Sequence, residues 1–356
     1  MNRILPFLII FCLTCGGLYS QTENLTRGNN RRILLDMVKR FEVKPMAAEP
    51  AWSVQRGPVL ATVAWLTDMH IGSATDAEKT ARTALKQLNE LKPDLVLITG
   101  DNNAIPVNNK IPVAEARQRW FKQFLDKELR CPYTVIPGDN WPWDFEKVFG
   151  SPVRSFDLAG VHFVLAGTDS RADSNDACAV FLPDTRQWLA NDLDRHHDRP
   201  CLFVLHETVF PPLFLDAPWT DSLLKARPQV LAALSGHVHL DLEFRCSGYT
   251  QFVCPALGPV QKPAFKVMSI TADQLILRTW EWTGKRFEPA PKWQRIVIPQ
   301  TLRSPSAADG HMVTDLKSMP ARPKVHDNSL AARAKEVDNA ILKAASQYSI
   351  MNLFRK

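Results

Sequence analysis

Residues 95–102 read Leu95-Val96-Leu97-Ile98-Thr99-Gly100-Asp101-Asn102. The short apolar run has the length and composition of a strand in an α/β core, and it stops at a glycine. Gly100 lets the backbone turn sharply and sets the carboxylate of Asp101 at the edge of the sheet. α/β sheets place their sites at the C-terminal ends of their strands. One such strand end is weak evidence, because a solvated turn explains it equally well.

The arrangement recurs on both sides of this stretch. The apolar run 59–66 leads into Asp68-Met69-His70, whose two ligand-type side chains leave the strand mouth in the same direction. Residues 133–136 end in Pro137-Gly138-Asp139-Asn140, and residues 201–205 end in His206. Residues 230–234 are followed by Gly236-His237-Val238-His239, where imidazoles two apart on an extended segment face the same side and can serve neighbouring metals. The remaining histidines, His162, His196, His197, His311 and His326, lie outside this series and read as surface or structural.

Between the strands, residues 76–91, 113–129 and 183–194 carry apolar residues at three- and four-residue spacing, the mark of helices packed on one face. With the strand candidate at 161–166 they make an α/β core. After His239 the pattern turns to strands without intervening helices, at 241–245, 251–253, 265–270 and 275–282, which predicts a second, more antiparallel sheet. The core is expected over 58–298, after a polar lead-in at 21–57. Residues 299–326 read as a linker rich in Pro, Ser and Ala, and a last helix is expected within 327–356, running from Leu330 to about Asn352. Leu330, Val337, Ile341 and Tyr348 lie along one face of it, suited to docking on its own domain or on a partner.

The formal charge of +6 is concentrated at the ends of the chain. Arg3 and the stretch from Thr301 onward, with nine Lys/Arg against five Asp/Glu, account for most of it. The near-neutral body has no basic field of the size nucleic acid requires, so no nucleic-acid partner is expected and a nuclease of the same fold is the weaker reading. Residues 1–20 read as an export signal, with Arg3, an apolar run to Cys15 and small residues before Gln21. Cleavage is placed after Ser20, with a secreted or periplasmic product and no transmembrane span in the mature chain. An uncleaved anchor and a lipoprotein at Cys15 are the alternatives. The first conflicts with the short apolar run; the second conflicts with Cys12, which stands where an aliphatic residue is expected. Asn24-Leu25-Thr26 is a formal glycosylation sequon. The mature chain keeps Cys131, Cys178, Cys201, Cys246 and Cys254, an odd set without a C-x-x-C pair. Thiolate zinc binding is therefore not expected. Cys246 and Cys254 flank a turn, either facing each other across it or standing as ordinary buried cysteines.

Taken in order, Asp68-x-His70, Gly100-Asp101, Gly138-Asp139, His206 and Gly236-His237-x-His239 resemble the calcineurin-like metallophosphoesterases, whose pattern is D-x-H, G-D, G-N-H-D/E, an isolated H and G-H-x-H. The resemblance spans roughly residues 59–285. It is nearest to the cyclic-nucleotide-phosphodiesterase-like and purple-acid-phosphatase-like branch, through both histidines of G-H-x-H and through Asp169-Ser170 followed by Gln187-Trp188-Leu189. It implies that Asp68, His70 and His239 hold one metal, that Asp101 bridges, and that Asp139, His206 and His237 hold the other. Oxygen and imidazole donors suit two divalent or trivalent ions, Fe, Mn or Zn. The implied activity is hydrolysis of a small phosphodiester or phosphomonoester by in-line attack of a hydroxide shared by the ions. Pattern and resemblance together predict an α/β (α+β) fold, a four-layer αββα sandwich of two mixed sheets.

One motif departs from the family. Where G-N-H-D/E is usual, this chain has Gly138-Asp139-Asn140-Trp141, so a carboxylate replaces the amide ligand and Asn140 replaces the histidine. Asn140 can hydrogen-bond a phosphoryl oxygen but cannot protonate a leaving group as an imidazolium does. Asp144 is the candidate substitute acid in the sequence. A catalytically weakened metal-binding or scaffold protein of the same fold is the alternative function. The tyrosine ligand of purple acid phosphatases is replaced by Ala104, so a tyrosinate-coloured centre is not expected.

Overall fold

The structure, a computed structural model, describes residues 37–38, 40–44, 57–73, 76–103, 112–139, 144–169, 179–258, 260–303, 320–322 and 330–346. Their elements are β1 (Val43–Lys44), β2 (Ala61–Leu66), α1 (Ala77–Leu91), β3 (Leu95–Thr99), α2 (Pro112–Glu128), β4 (Tyr133–Ile136), α3 (Phe145–Phe149), β5 (Val153–Leu158), β6 (Val161–Ala166), α4 (Pro183–Arg195), β7 (Cys201–Val204), α5 (Ala217–Lys225), β8 (Val230–Ser235), β9 (Leu242–Cys246), β10 (Thr250–Val253), β11 (Ala264–Ile270), β12 (Gln274–Trp282), β13 (Phe287–Val297) and α6 (Leu330–Ser346). The export signal, the sequon, Ala104, Asn140, Ser170, Cys178 and Tyr348 lie outside the described residues.

The strands form two mixed sheets. One is seven-stranded, in the order β1-β9-β10-β8-β7-β6-β5, and the other six-stranded, in the order β13-β12-β11-β2-β3-β4. β2, β3 and β4 run parallel, as do β6, β7, β8 and β10. The helix-free stretch that follows His239, up to residue 298, does not make a sheet of its own. β9 and β10 extend the seven-stranded sheet, while β11, β12 and β13 extend the other by antiparallel pairing on β2. β1, from the segment read as a lead-in, pairs with β9.

Side-chain alternation along the strands divides the core into three apolar layers. Trp65, Leu97, Phe163, Val204, Leu234, Met268 and Leu277 meet between the sheets. Leu66, Ile98 and Phe265 face α1 and α2 through Leu85, Leu88, Phe121 and Leu125. Val164 and Phe203 face the other helices, including α4 through Leu189 and Leu193. α1 shows how sequence sets this packing. Ala77, Ala81, Ala84, Leu85 and Leu88 recur on one face and are buried, and Lys92 closes the helix in the left-handed conformation with its N–H on the Leu88 carbonyl.

Beyond residue 298 the chain returns to this domain. The backbone of residues 320–322 pairs with the edge strand β5, through Ser155 N–H to Pro320 O at 2.9 Å and Arg322 N–H to Val153 O at 3.0 Å. α6 buries Val337 and Ala344 on the outer layer of the seven-stranded sheet. Cys131, Cys201, Cys246 and Cys254 are free thiols. Cys246 and Cys254 do not face each other, because the β9–β10 register sets Arg245 opposite Thr250 and Leu242 opposite Val253. No helix among the described residues is long and apolar enough to cross a membrane.

Candidate metal centre

Both sheets end their parallel strands at the same rim. The six-stranded sheet delivers Asp68 and His70 after β2, Asp101 after β3 and Asp139 after β4. The seven-stranded sheet delivers His206 after β7 and His237 and His239 after β8. These residues converge into two clusters, Asp101 with Asp139, His206 and His237, and Asp68 with His70 and His239. Asp101 faces both: one carboxylate oxygen lies 3.4 Å from His206 Nε2 and the other 3.7 Å from His70 Nε2.

The turns that aim these side chains are unusual. Asp68, His70, Asp101, His237 and His239 all have positive φ, from 45° to 66°. Left-handed backbone is uncommon in residues other than glycine, and its clustering at one place is the signature of geometry fixed for a purpose. Backbone hydrogen bonds hold the turns in line, with Asp68 N–H on Gly100 O at 3.0 Å and His70 N–H on Asp101 O at 2.9 Å. Gly236 is required by close approach: a Cβ there would stand 2.5 Å from Asp68 Oδ2.

His206 shows that the cluster is shaped for cations. Its Nδ1–H donates to the Thr99 carbonyl at 2.7 Å, which leaves the Nε2 lone pair facing Asp139 Oδ1 at 3.3 Å and Asp101 Oδ1 at 3.4 Å. That nitrogen is buried without a hydrogen-bond partner. A lone pair pointed at carboxylate oxygens is repulsive unless a proton or a metal ion lies between them, and fixing the ring through the other nitrogen is the usual second-shell arrangement of a metal-bound histidine. His237 Nδ1 stands 3.4 Å from Asp139, and His239 Nε2 stands 3.1 Å from both Asp68 Oδ1 and His70 Nε2. Among the described residues no cysteine joins either cluster. The donors are carboxylate and imidazole, which fit Fe, Mn or Zn.

Protonation follows the same field. Burial disfavours charge on His206, yet Asp101 and Asp68 outweigh it and raise its pKa well above the ordinary imidazole value. Burial likewise opposes His237, whose pKa Asp139 raises to about 9. Against the burial that opposes them, the neighbouring imidazoles hold the Asp68 and Asp139 carboxyls well below the usual range. The pocket of negative oxygens demands positive charge.

Not every predicted residue joins the site. Asp144 lies in the turn before α3 with its carboxylate 2.8 Å from Lys147 Nζ, outside both clusters. Asp169 is buried in the loop after β6, where it bridges to Val180 and accepts from Leu182 N–H at 3.2 Å, with Trp188 and Leu189 in the apolar layer beneath α4. Sequence reasoning missed Thr67, whose hydroxyl donates to Asp68 Oδ2 at 2.7 Å, and Glu207. Glu207, buried beside His206, accepts from Thr168 at 2.6 Å, and burial raises its pKa. Neither had a spacing signal, since both are single residues adjoining a ligand.

The profile of calcineurin-like phosphoesterases matches residues 61–241, which take in both clusters. The chain belongs to the calcineurin-like phosphoesterase family. The family uses divalent metal ions, and the two clusters are its candidate donor set here. Among solved structures, a dimetal phosphatase from Danio rerio is 14% identical with a TM-score of 0.51, the match covering 67% of this chain and 99% of that one. GAP50, the anchor in the inner membrane complex of Plasmodium, is 12% identical with a TM-score of 0.49, covering 70% and 93%. A Vps29 single mutant from Entamoeba histolytica is 14% identical with a TM-score of 0.37, covering 67% and 99%. The first shares the metallophosphatase fold with this family member. No curated protein matches the chain in sequence.

Proposed function

We propose that this family member is a dinuclear phosphoesterase that hydrolyses small phosphate esters. The observation that carries the reading is Asp101, a buried carboxylate with one oxygen toward each imidazole cluster. Asp68, His70 and His239 would hold one ion and Asp139, His206 and His237 the other, with Asp101 placed to serve both. A bound pair of cations supplies Lewis acidity and an activated water at neutral pH. The chain's own contribution is to fix the donors. Thr99 O orients His206, Thr67 and the His237 N–H orient Asp68, and the partly exposed His70, His237 and His239 line the open side where an ester enters. A diester is favoured over a monoester on the branch resemblance. Residues 1–20, which read as an export signal, support a site of action outside the cytoplasm, and the N-terminal sequence of the mature protein tests it.

The purified chain should contain about two ions by elemental analysis and turn over bis(p-nitrophenyl) phosphate or p-nitrophenyl phosphate with Mn²⁺, Fe²⁺ or Zn²⁺. Asp101→Ala should abolish both properties. A chain without metal overturns the reading. The second reading, a metal-binding scaffold, is favoured by Asn140 at the position of the family's histidine. It predicts two ions without turnover on either ester.

A further inference from the structure

Lys266 is a lysine in the layer between the two sheets. On β11 it shares the inward face with Met268 and Ile270, opposite Trp65 of β2, and it is fully buried. A buried ammonium is tolerated when each N–H has an acceptor. Here Nζ donates to Asp241 Oδ1 at 2.6 Å, to Gln294 Oε1 at 2.7 Å and to Thr279 Oγ1 at 2.9 Å. Thr279 in turn donates to the second oxygen of Asp241 at 2.5 Å, and Gln294 donates to the first at 3.3 Å. Lys266, Thr279 and Gln294 belong to the three adjacent strands β11, β12 and β13 of the six-stranded sheet. Asp241 belongs to the loop between β8 and β9 of the other sheet.

The contact therefore ties one sheet to the loop that carries His237 and His239, and it does so two residues after His239. Gly236 and Val238 are fastened by backbone hydrogen bonds, but among the described residues none outside the strands is made by residues 239–241. His239 must reach Asp68 and His70, which the six-stranded sheet supplies. Its donor set is thus assembled across the two sheets, and the spacing at that rim decides whether the three donors meet.

We infer that Lys266, through Asp241, is a positioning residue that sets His239 against Asp68 and His70. The inference rests on the proposed metal binding for its second readout only. Its test uses the full chain as wild type, Lys266→Met and Asp241→Asn. Asp241→Asn keeps an oxygen for Lys266 and serves as the conservative variant. In metal-free protein, amides 236–242 of Lys266→Met should exchange with solvent about tenfold faster or more, with Asp241→Asn nearer wild type. Titrated with Mn²⁺, Lys266→Met should lose about 10- to 100-fold in affinity for one ion, the usual effect of an outer-shell change, while the other ion is held as before. Unchanged exchange over 236–242 overturns the inference even if Lys266→Met melts earlier, and so does equal weakening of both ions. Wild-type protein that binds no Mn²⁺ sinks the proposed metal centre, and the exchange measurement then decides the strut alone.

Discussion

Gly236→Ala is the sharpest perturbation of the site that leaves every ligand in place. The new Cβ would stand 2.5 Å from Asp68 Oδ2 and closer still to Thr67 Oγ1, against an ordinary contact of 3.4–4 Å. Neither atom has room to yield. Asp68 Oδ2 accepts from Thr67 Oγ1 at 2.7 Å and from His237 N–H at 2.9 Å, and both residues that would collide are wholly buried. Overpacking of this kind costs about 1–3 kcal/mol, and loss of a hydrogen bond to a charged group costs about 1.5–3 kcal/mol. Because the two losses share one cause they do not simply add, and a net destabilisation of about 3 kcal/mol is expected. In a domain of this size that lowers Tm by roughly 6–12 °C. Displacing Asp68 should also empty the cluster it shares with His70 and His239. Calorimetry and elemental analysis of Gly236→Ala beside Gly57→Ala, where a Cβ meets nothing within 4 Å, provide the measurement. A Gly236→Ala protein within about 0.5 kcal/mol of wild type, with its metal content intact, would refute the account of this turn.

Three further outcomes are expected. Stripping the ions with a chelator should lower Tm and their return should restore it, by about 2.7 kcal/mol of stability at a free metal concentration 100 times Kd; a melt indifferent to metal contradicts the centre. Asp144→Ala should keep both ions and most of the turnover, since its carboxylate is held by Lys147, and a fall of about 10²-fold or more would instead make Asp144 the acid. His162 is buried between Asp157 at 2.7 Å and Asp192 at 3.0 Å, which raise its pKa against the burial that opposes it. Its contribution to stability is complete below the unfolded value of 6.5 and fades as pH rises through the higher folded value. On the acid side, Asp157, held low by His162 despite its burial, keeps its share above 3.8 and loses it as pH falls. The Tm difference between wild type and His162→Gln should accordingly be largest between these limits and narrow at higher pH; a pH-independent difference would exclude the imidazolium.

The candidate site was legible because parallel strands concentrate the signal. β3 is an unbroken apolar run with its ligand one turn beyond, and the same grammar repeats at β2, β4, β7 and β8. Other parts carried no local mark. β5 reads Val153-Arg154-Ser155-Phe156-Asp157-Leu158, in which Arg154 and Ser155 look solvated. They are buried because Arg154 finds the Val135 carbonyl at 2.6 Å and Ser155 finds Asp192 at 3.1 Å. β13 contains Pro289 and Pro291, which argue against a strand in sequence but are tolerated at the edge of a sheet. Which strands share a sheet was also invisible, since nothing local in β9 or β11 marks its neighbours, β1 and β10 for the one and β2 and β12 for the other. Lys266 was hidden for a related reason, because its acceptors lie 13, 25 and 28 residues away.

The left-handed turns at Asp68, His70, Asp101, His237 and His239 set function against durability. Each holds a residue with a Cβ where glycine is most comfortable, at about 1–2 kcal/mol apiece. Without its ions the chain gets nothing in return for that tension. Variants selected for heat resistance in chelator should therefore drift toward glycine or asparagine at His70 and His239, shedding the donors as they gain stability. Selection in the presence of metal should preserve them, so a thermostability screen on this protein will breed opposite proteins depending on what is dissolved in the buffer.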